Sequence, residues 1–208
     1  MHDQHATLGQ FLDAAAAKQP TPGGGSVTAL VGALAASMGE MTVNYSVGKK
    51  GLEQHAPELA AALAQFHAAR LMLLELMIED QSAYAQLTSA KKMPPTGRGA
   101  AMTEAVDLCI SVPQAMAATA ITILDLSSRL IEKVNLYLLS DLAVCADLAM
   151  ATLRCALCNV RVNLPEIADN QRRTEIESTS AKLLSRGTTL IQQVSPQIWR
   201  RIAAGGQN

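Results

Sequence analysis

Nearly every segment of this chain repeats its apolar residues with a period near 3.6, and short clusters of proline and glycine separate the segments. No stretch alternates with period two for long enough to make a strand. The expected class is therefore all-α, a bundle of long helices. The spacing predicts a first helix over 7–18, with Leu8, Phe11, Leu12 and Ala15 on one face. A second runs over 27–47 and is stopped by Gly48-Lys49-Lys50-Gly51. A long third starts at residue 53 or 57 and ends at 90. Residues 93–97, Met-Pro-Pro-Thr-Gly, read as an exposed loop. A helix over 99–126, kinked at Pro113, follows, and 127–134 continue its pattern. Helices over 135–163 and 169–204 complete the set, the last of them polar and bent at Pro196.

Composition narrows the packing and the partners. Hydrophobic residues make up 49% of the 208, but aromatics only 3%, so closely approaching helices must form the core. Gly32, Ala35, Ala36 and Gly39 give the second helix a slim face suited to that approach. One domain over 1–208 is expected. The formal net charge of −1 supplies no general attraction to nucleic acid. The start, Met1-His2-Asp3-Gln4-His5, shows no basic and apolar leader pattern. The uncharged runs 19–39 and 108–124 are read as buried helices rather than membrane spans. Cys109, Cys145, Cys155 and Cys158 all fall in helical patterns. Cys155-x-x-Cys158 lacks a second pair or a nearby histidine, so buried free thiols in a reducing cytoplasm are expected and no metal site.

The sharpest local feature is Pro20-Thr21-Pro22-Gly23-Gly24-Gly25-Ser26. Its prolines exclude a helix, its glycines allow close backbone approach, and Ser26 is placed to cap the helix that follows. Free N–H groups at such a helix start suit an anionic ligand. A turn that merely aims one helix at the next is the alternative. The glycines lack a Walker lysine, and no Gly-x-Ser-x-Gly elbow follows a strand.

Several polar residues stand where a core is expected. Asp80 is flanked by Leu76, Met77 and Ile78 and shares a face with Tyr84 at i, i+4. Beside apolar surface its carboxyl would hold a raised pKa, as an acid–base catalyst requires; the wet side of the helix is the other reading. Asp141 complements a helix start, and Asn135 stands just before it. Asn159 and Asn163, at i, i+4, offer helix-end contacts or ligand hydrogen bonds. Lys49 and Lys50 read as solvated charges at a helix end, and His55 and His67 as scattered surface residues.

Together these residues resemble the cyclodeaminase/cyclohydrolase family of folate enzymes. The matching segments are Phe11-Leu12-Asp13, the 20–26 turn, Asn44-Tyr45-Ser46-Val47-Gly48-Lys49-Lys50, Asp80-Gln81-Ser82-Ala83-Tyr84, Val112-Pro113, the segment 135–142, and Asn159-Val160-Arg161-Val162-Asn163-Leu164. The chain departs from the family pattern at Ser46, Gly51-Leu52, Pro94-Pro95 and Val134. The resemblance implies an all-α homodimer acting on a tetrahydrofolate one-carbon derivative, with no cofactor beyond that substrate and no nucleic acid or membrane partner. It implies Asp80 as the acid–base group. It places Gly23, Gly24, Gly25, Ser26, Asn44, Lys49, Tyr84, Asn135, Ser140 and Asp141 at the substrate, with Lys49 and the glycine N–H groups on carboxylates. The first expectation is hydrolysis of 5,10-methenyltetrahydrofolate to 10-formyltetrahydrofolate. Ammonia release from formiminotetrahydrofolate and a non-catalytic folate-binding role are the alternatives.

Overall fold

The computed structural model describes residues 7–205; residues 1–6, with His2 and His5, and 206–208 lie outside the described residues. The chain forms α1 (Leu8–Ala16), α2 (Gly24–Asn44), α3 (Ala56–Lys92), α4 (Pro95–Leu130), α5 (Leu139–Asn163) and α6 (Asn170–Gly205). Single 3₁₀ turns occur at Glu53–His55, Leu136–Leu138 and Leu164–Glu166. No strand occurs among the described residues, as the all-α reading requires.

Most boundary shifts have a local cause. Thr7 and Gln10 close a capping box that starts α1, and the helix stops at Ala16, before the proline turn. Its predicted apolar face is not wholly buried: Phe11 is, but Leu8 and Leu12 are exposed. α2 begins at Gly24 with Gly23 as its N-cap and no side-chain cap. Ser26 is thus the third helical residue rather than the cap. α4 begins at Pro95, because a proline in the first turn forfeits no hydrogen bond. The loop expected over 93–97 shrinks to Met93 and Pro94. Asn135 lies outside α5; its side-chain oxygen accepts from the Tyr137 N–H and so caps the 3₁₀ turn. α2 ends at Asn44, with Tyr45 as its C-cap, short of the predicted 47, and Gly48 and Gly51, at φ 71° and 89°, turn the chain beyond it.

α2, α3, α4 and α5 form a ring in which each packs on two neighbours, and α6 lies along the α4–α5 edge. The slim face of α2 makes the ring tight. Gly32, Ala35, Ala36 and Gly39 are all buried, and a Cβ on Gly39 would lie 2.4 Å from the Phe66 ring. Phe66 is itself fully buried, so nothing gives way easily. Gly39→Ala is expected to cost about 1–3 kcal/mol by overpacking. Thermal melting should show this as a drop of several degrees; an unchanged melting temperature would contradict the packing described. The polar helix α6 is tied down by Arg201, whose guanidinium donates to the Ile131 and Val134 carbonyls at the end of α4.

Two expectations need correction. Only Cys145 is buried; Cys109 is half-buried, and Cys155 and Cys158 are exposed on the outer face of α5. Burial pushes the Cys145 thiol up to about 12. The uncharged runs 19–39 and 108–124 are read from the sequence as buried helices rather than membrane spans, yet four helical segments are long and apolar enough to span a bilayer by length and composition. Between about a third and just over half of each span is buried against the rest of the chain, and Ala29, Leu73, Leu124 and Leu153 are each fully buried between helices.

Candidate active site

The ring helices differ in length, and this difference makes a cavity. α2 has 21 residues, whereas α3 and α4 have 37 and 36, so both run past its N-terminus. Where α2 stops, its first turn becomes the floor of a space walled by α3, α4 and α5. Pro20 and Thr21 close the fourth side, with the Thr21–Pro22 peptide cis. The space measures about 430 Å³ and is lined by Gly23, Gly24, Gly25, Asp80, Tyr84, Lys91, Cys109, Pro113, Asn159, Asn163, Glu166 and apolar neighbours.

Asp80 is the partly buried carboxylate of this cavity, and Glu166 an exposed one at its mouth. α3 carries Asp80 against α2 so closely that a Cβ on Gly25 would lie 1.8 Å from its Oδ1. Only glycine at position 25 leaves the carboxylate its place. Ser26, fully buried, donates from its hydroxyl to Asp80 Oδ2 at 3.0 Å and adds its backbone N–H. Desolvation by burial nonetheless dominates and raises the Asp80 pKa above the ordinary carboxylate value. Ser26 therefore holds Asp80 rather than facing the cavity.

Pro113 shapes the opposite wall. Proline has no N–H for the carbonyl four residues earlier, which is that of Cys109. Asn163 fills the gap: its Nδ2 donates to Cys109 O at 3.1 Å and also to Asn159 O at 2.9 Å. The break that Pro113 makes in the α4 ladder is thus the point at which Asn163 ties α4 to α5 beside the cavity. Burial, and next the Asp80 charge, raise the Cys109 pKa, so this thiol stays protonated and makes a poor nucleophile. At the mouth, Lys91 Nζ lies 3.1 Å from Glu166 Oε1.

The expected site residues divide into two groups. Gly23, Gly24, Gly25, Asp80 and Tyr84 line one cavity, with Ser26 directly behind Asp80. Asn44, Lys49, Asn135, Ser140 and Asp141 gather at the other end of α2, roughly 30 Å away for a helix of 21 residues. There Lys49 stands 5.1 Å from the Tyr137 ring centroid. Asn135 is buried, and its N–H donates to Ser46 Oγ at 2.9 Å. It holds the 135–142 segment on the α2 end, a structural task that spacing did not reveal. Lys91, Cys109 and the cavity role of Pro113 escaped the sequence reading. Lys91 stands in the last turn of α3, where a cation complements the helix dipole and carries no signal of its own in the sequence. Among the described residues no group of three His, Cys, Asp or Glu is placed to hold a metal ion.

This geometry can be set beside known proteins. The family model described as formiminotransferase-cyclodeaminase matches residues 7–182, and the chain belongs to that family. A methenyltetrahydrofolate cyclohydrolase of Methylorubrum extorquens is 29% identical over 202 residues, covering 92% of this chain and 97% of that protein. The formimidoyltransferase-cyclodeaminase of Gallus gallus is 29% identical over 88% of this chain, which spans only 36% of that longer protein. The crystal structure of a formiminotetrahydrofolate cyclodeaminase from Thermotoga maritima superposes with a TM-score of 0.82 at 28% identity, over 96% of this chain and 97% of that one.

Proposed function

We propose that this chain is a folate one-carbon enzyme that hydrolyses 5,10-methenyltetrahydrofolate to 10-formyltetrahydrofolate. The observation that carries the reading is Asp80: a carboxylate of raised pKa in a cavity whose floor is a glycine helix start. Likeness to the Methylorubrum cyclohydrolase over nearly its full length supports the same substrate.

The methenyl carbon is an electron-poor centre between two nitrogens. Ionised Asp80 accepts a proton from water as the water oxygen bonds to that carbon. The protonated carboxyl then returns the proton to the departing nitrogen as the C–N bond breaks. The second proton of the water leaves to solvent as the formyl carbonyl forms. A carboxylate whose pKa is raised by burial can do both, and the step asks for no cofactor beyond the substrate. Tyr84, one turn on from Asp80, offers a ring to a flat heterocycle.

The substrate's carboxylates need cations or N–H donors. Lys91 at the mouth is better placed for them than Lys49, which stands at the far end of α2. Lys91 would exchange Glu166 for substrate. Lys91→Ala is expected to raise KM about tenfold by loss of this charge-assisted contact, with kcat within twofold. An unchanged KM in steady-state kinetics would remove Lys91 from binding.

A homodimer fits the split of site residues. Val27 and Leu34 on α2, Tyr137 before α5 and Val144 on α5 leave apolar surface exposed. A second copy packed antiparallel on that surface would carry its own Asn44, Lys49, Ser140 and Asp141 toward this cavity. A cytoplasmic, soluble enzyme without nucleic-acid or membrane partners accords with the net charge of −1 and with such a substrate.

The cyclodeaminase reading keeps its place because the Thermotoga structure bears that name at a TM-score of 0.82. Two assays on the purified protein separate the readings: decay of methenyltetrahydrofolate absorbance, and ammonia release from formiminotetrahydrofolate. Turnover in the first supports the proposal, turnover only in the second replaces it, and tight binding without either leaves a folate-binding protein.

A further inference from the structure

Asn159 has an amide that the fold does not use. It is half-buried on α5, at the edge of the cavity and beside the buried apolar residues Ala156 and Val160. Asn163, one turn on, spends its Nδ2 on two carbonyls. Asn159 Nδ2 is buried, yet it has no hydrogen-bond partner among the described residues. Native proteins rarely leave a buried donor unpaired, because its lost hydration is not recovered. A leucine of nearly the same size would fill the space without that cost. An amide kept under those terms points to a ligand that completes it.

The position of this amide says which part of a ligand it meets. Asp80 on α3 overhangs Gly25, and Asn159 on α5 overhangs the preceding residue, Gly24. Asn159 Oδ1 lies 3.7 Å from where a Gly24 Cβ would stand. A small group held over the first turn of α2 therefore has the carboxylate on one side and the amide on the other. Rotation about the Asn159 Cβ–Cγ bond, a soft torsion, turns the N–H toward the cavity.

We infer that Asn159 is a second catalytic residue, whose N–H donates to the oxygen that adds to the one-carbon centre, opposite Asp80. This rests on the cyclohydrolase reading. When water adds, its oxygen bonds to the carbon, one proton passes to Asp80, and the π electrons move onto nitrogen. When the C–N bond breaks, the departing nitrogen takes the proton from Asp80. The hydroxyl proton leaves to water, and the oxygen becomes the formyl carbonyl. The amide donates to that oxygen throughout, most strongly as it gains carbonyl and anionic character.

The test compares wild type, Asn159→Leu and Asn159→Asp in methenyltetrahydrofolate hydrolysis and in thermal melting. Both variants should lose about 100-fold in kcat, the scale of one lost oxyanion donor, with KM within threefold. Asn159→Leu should also melt at or above the wild-type temperature, which an asparagine serving the fold would not allow. Retention of kcat within threefold in either variant overturns the inference. So does a fall in melting temperature for Asn159→Leu with Asn159→Asp still active. If wild type turns over methenyltetrahydrofolate and the variants do so equally, only this inference fails. If wild type does not turn it over, or releases only ammonia, the cyclohydrolase reading falls and takes this inference with it.

Discussion

Asp80→Asn is expected to lower kcat for methenyltetrahydrofolate hydrolysis by about 10³-fold, with KM changed by no more than a few fold. General acid–base groups contribute on the order of 10²–10⁴, and here one carboxylate serves both proton transfers. The amide can still accept from Ser26, so the first turn of α2 keeps its shape and the substrate its floor. Stability should move the other way. The Asp80 pKa is raised in the folded chain above its ordinary 3.8. Between those two values the folded state holds a proton that the unfolded chain has lost, so stability falls as pH rises through that window. Asparagine does not titrate. The variant should therefore melt at or above wild type at pH 8, and the difference should shrink as pH falls toward 4. For the same reason wild-type kcat should drop on the acid side, through a pKa above the ordinary carboxylate range, as Asp80 loses its base form. Full activity in Asp80→Asn, or wild-type activity flat down to pH 4, would contradict the assignment.

Gly25→Ala should be nearly as damaging although it touches no proton. A Cβ there would lie 1.8 Å from Asp80 Oδ1 and 2.4 Å from its Cγ. Those distances are shorter than any non-bonded contact, so the carboxylate must leave its seat. Displacing a catalytic group by about 1 Å can cost about 100-fold, and expulsion from the Ser26 hydroxyl costs more. We expect a loss approaching 10³ in kcat, while circular dichroism still reports a full complement of helix. Gly24→Ala separates the carboxylate from the floor. A Cβ at position 24 touches no atom of Asp80 but stands in the cavity, 3.7 Å from Asn159 Oδ1, so it should raise KM by crowding the substrate. An equal kcat loss in the two variants with KM unchanged in both would mean that the glycines serve the turn and not the carboxylate.

Much of this was legible along the chain, and the part that was not has one physical cause. Helix periodicity, the Pro113 break and the Asp80–Tyr84 pair are relations within one helix, and period 3.6 displays them directly. What lies between helices depends on register and on unequal lengths. Ser26 reads as a cap because serine before a helix commonly is one. Only the crossing of α2 and α3 turns it to Asp80. The link from Asn163 to the carbonyl that Pro113 orphans joins residues 54 apart. Within one copy Asn44 and Lys49 stand at the opposite end of α2 from Asp80, because 21 helical residues span roughly 30 Å. Resemblance placed them together in order; it could not say at which end of a helix each would stand.

The most direct measurement is a crystal structure of the Asp80→Asn protein with methenyltetrahydrofolate bound. The proposal predicts the one-carbon centre over Gly24 and Gly25, between residue 80 and Asn159, with the substrate's carboxylates toward Lys91. Substrate seated at the other end of α2, beside Lys49 and Tyr137 and beyond reach of residue 80 in any copy, would contradict it.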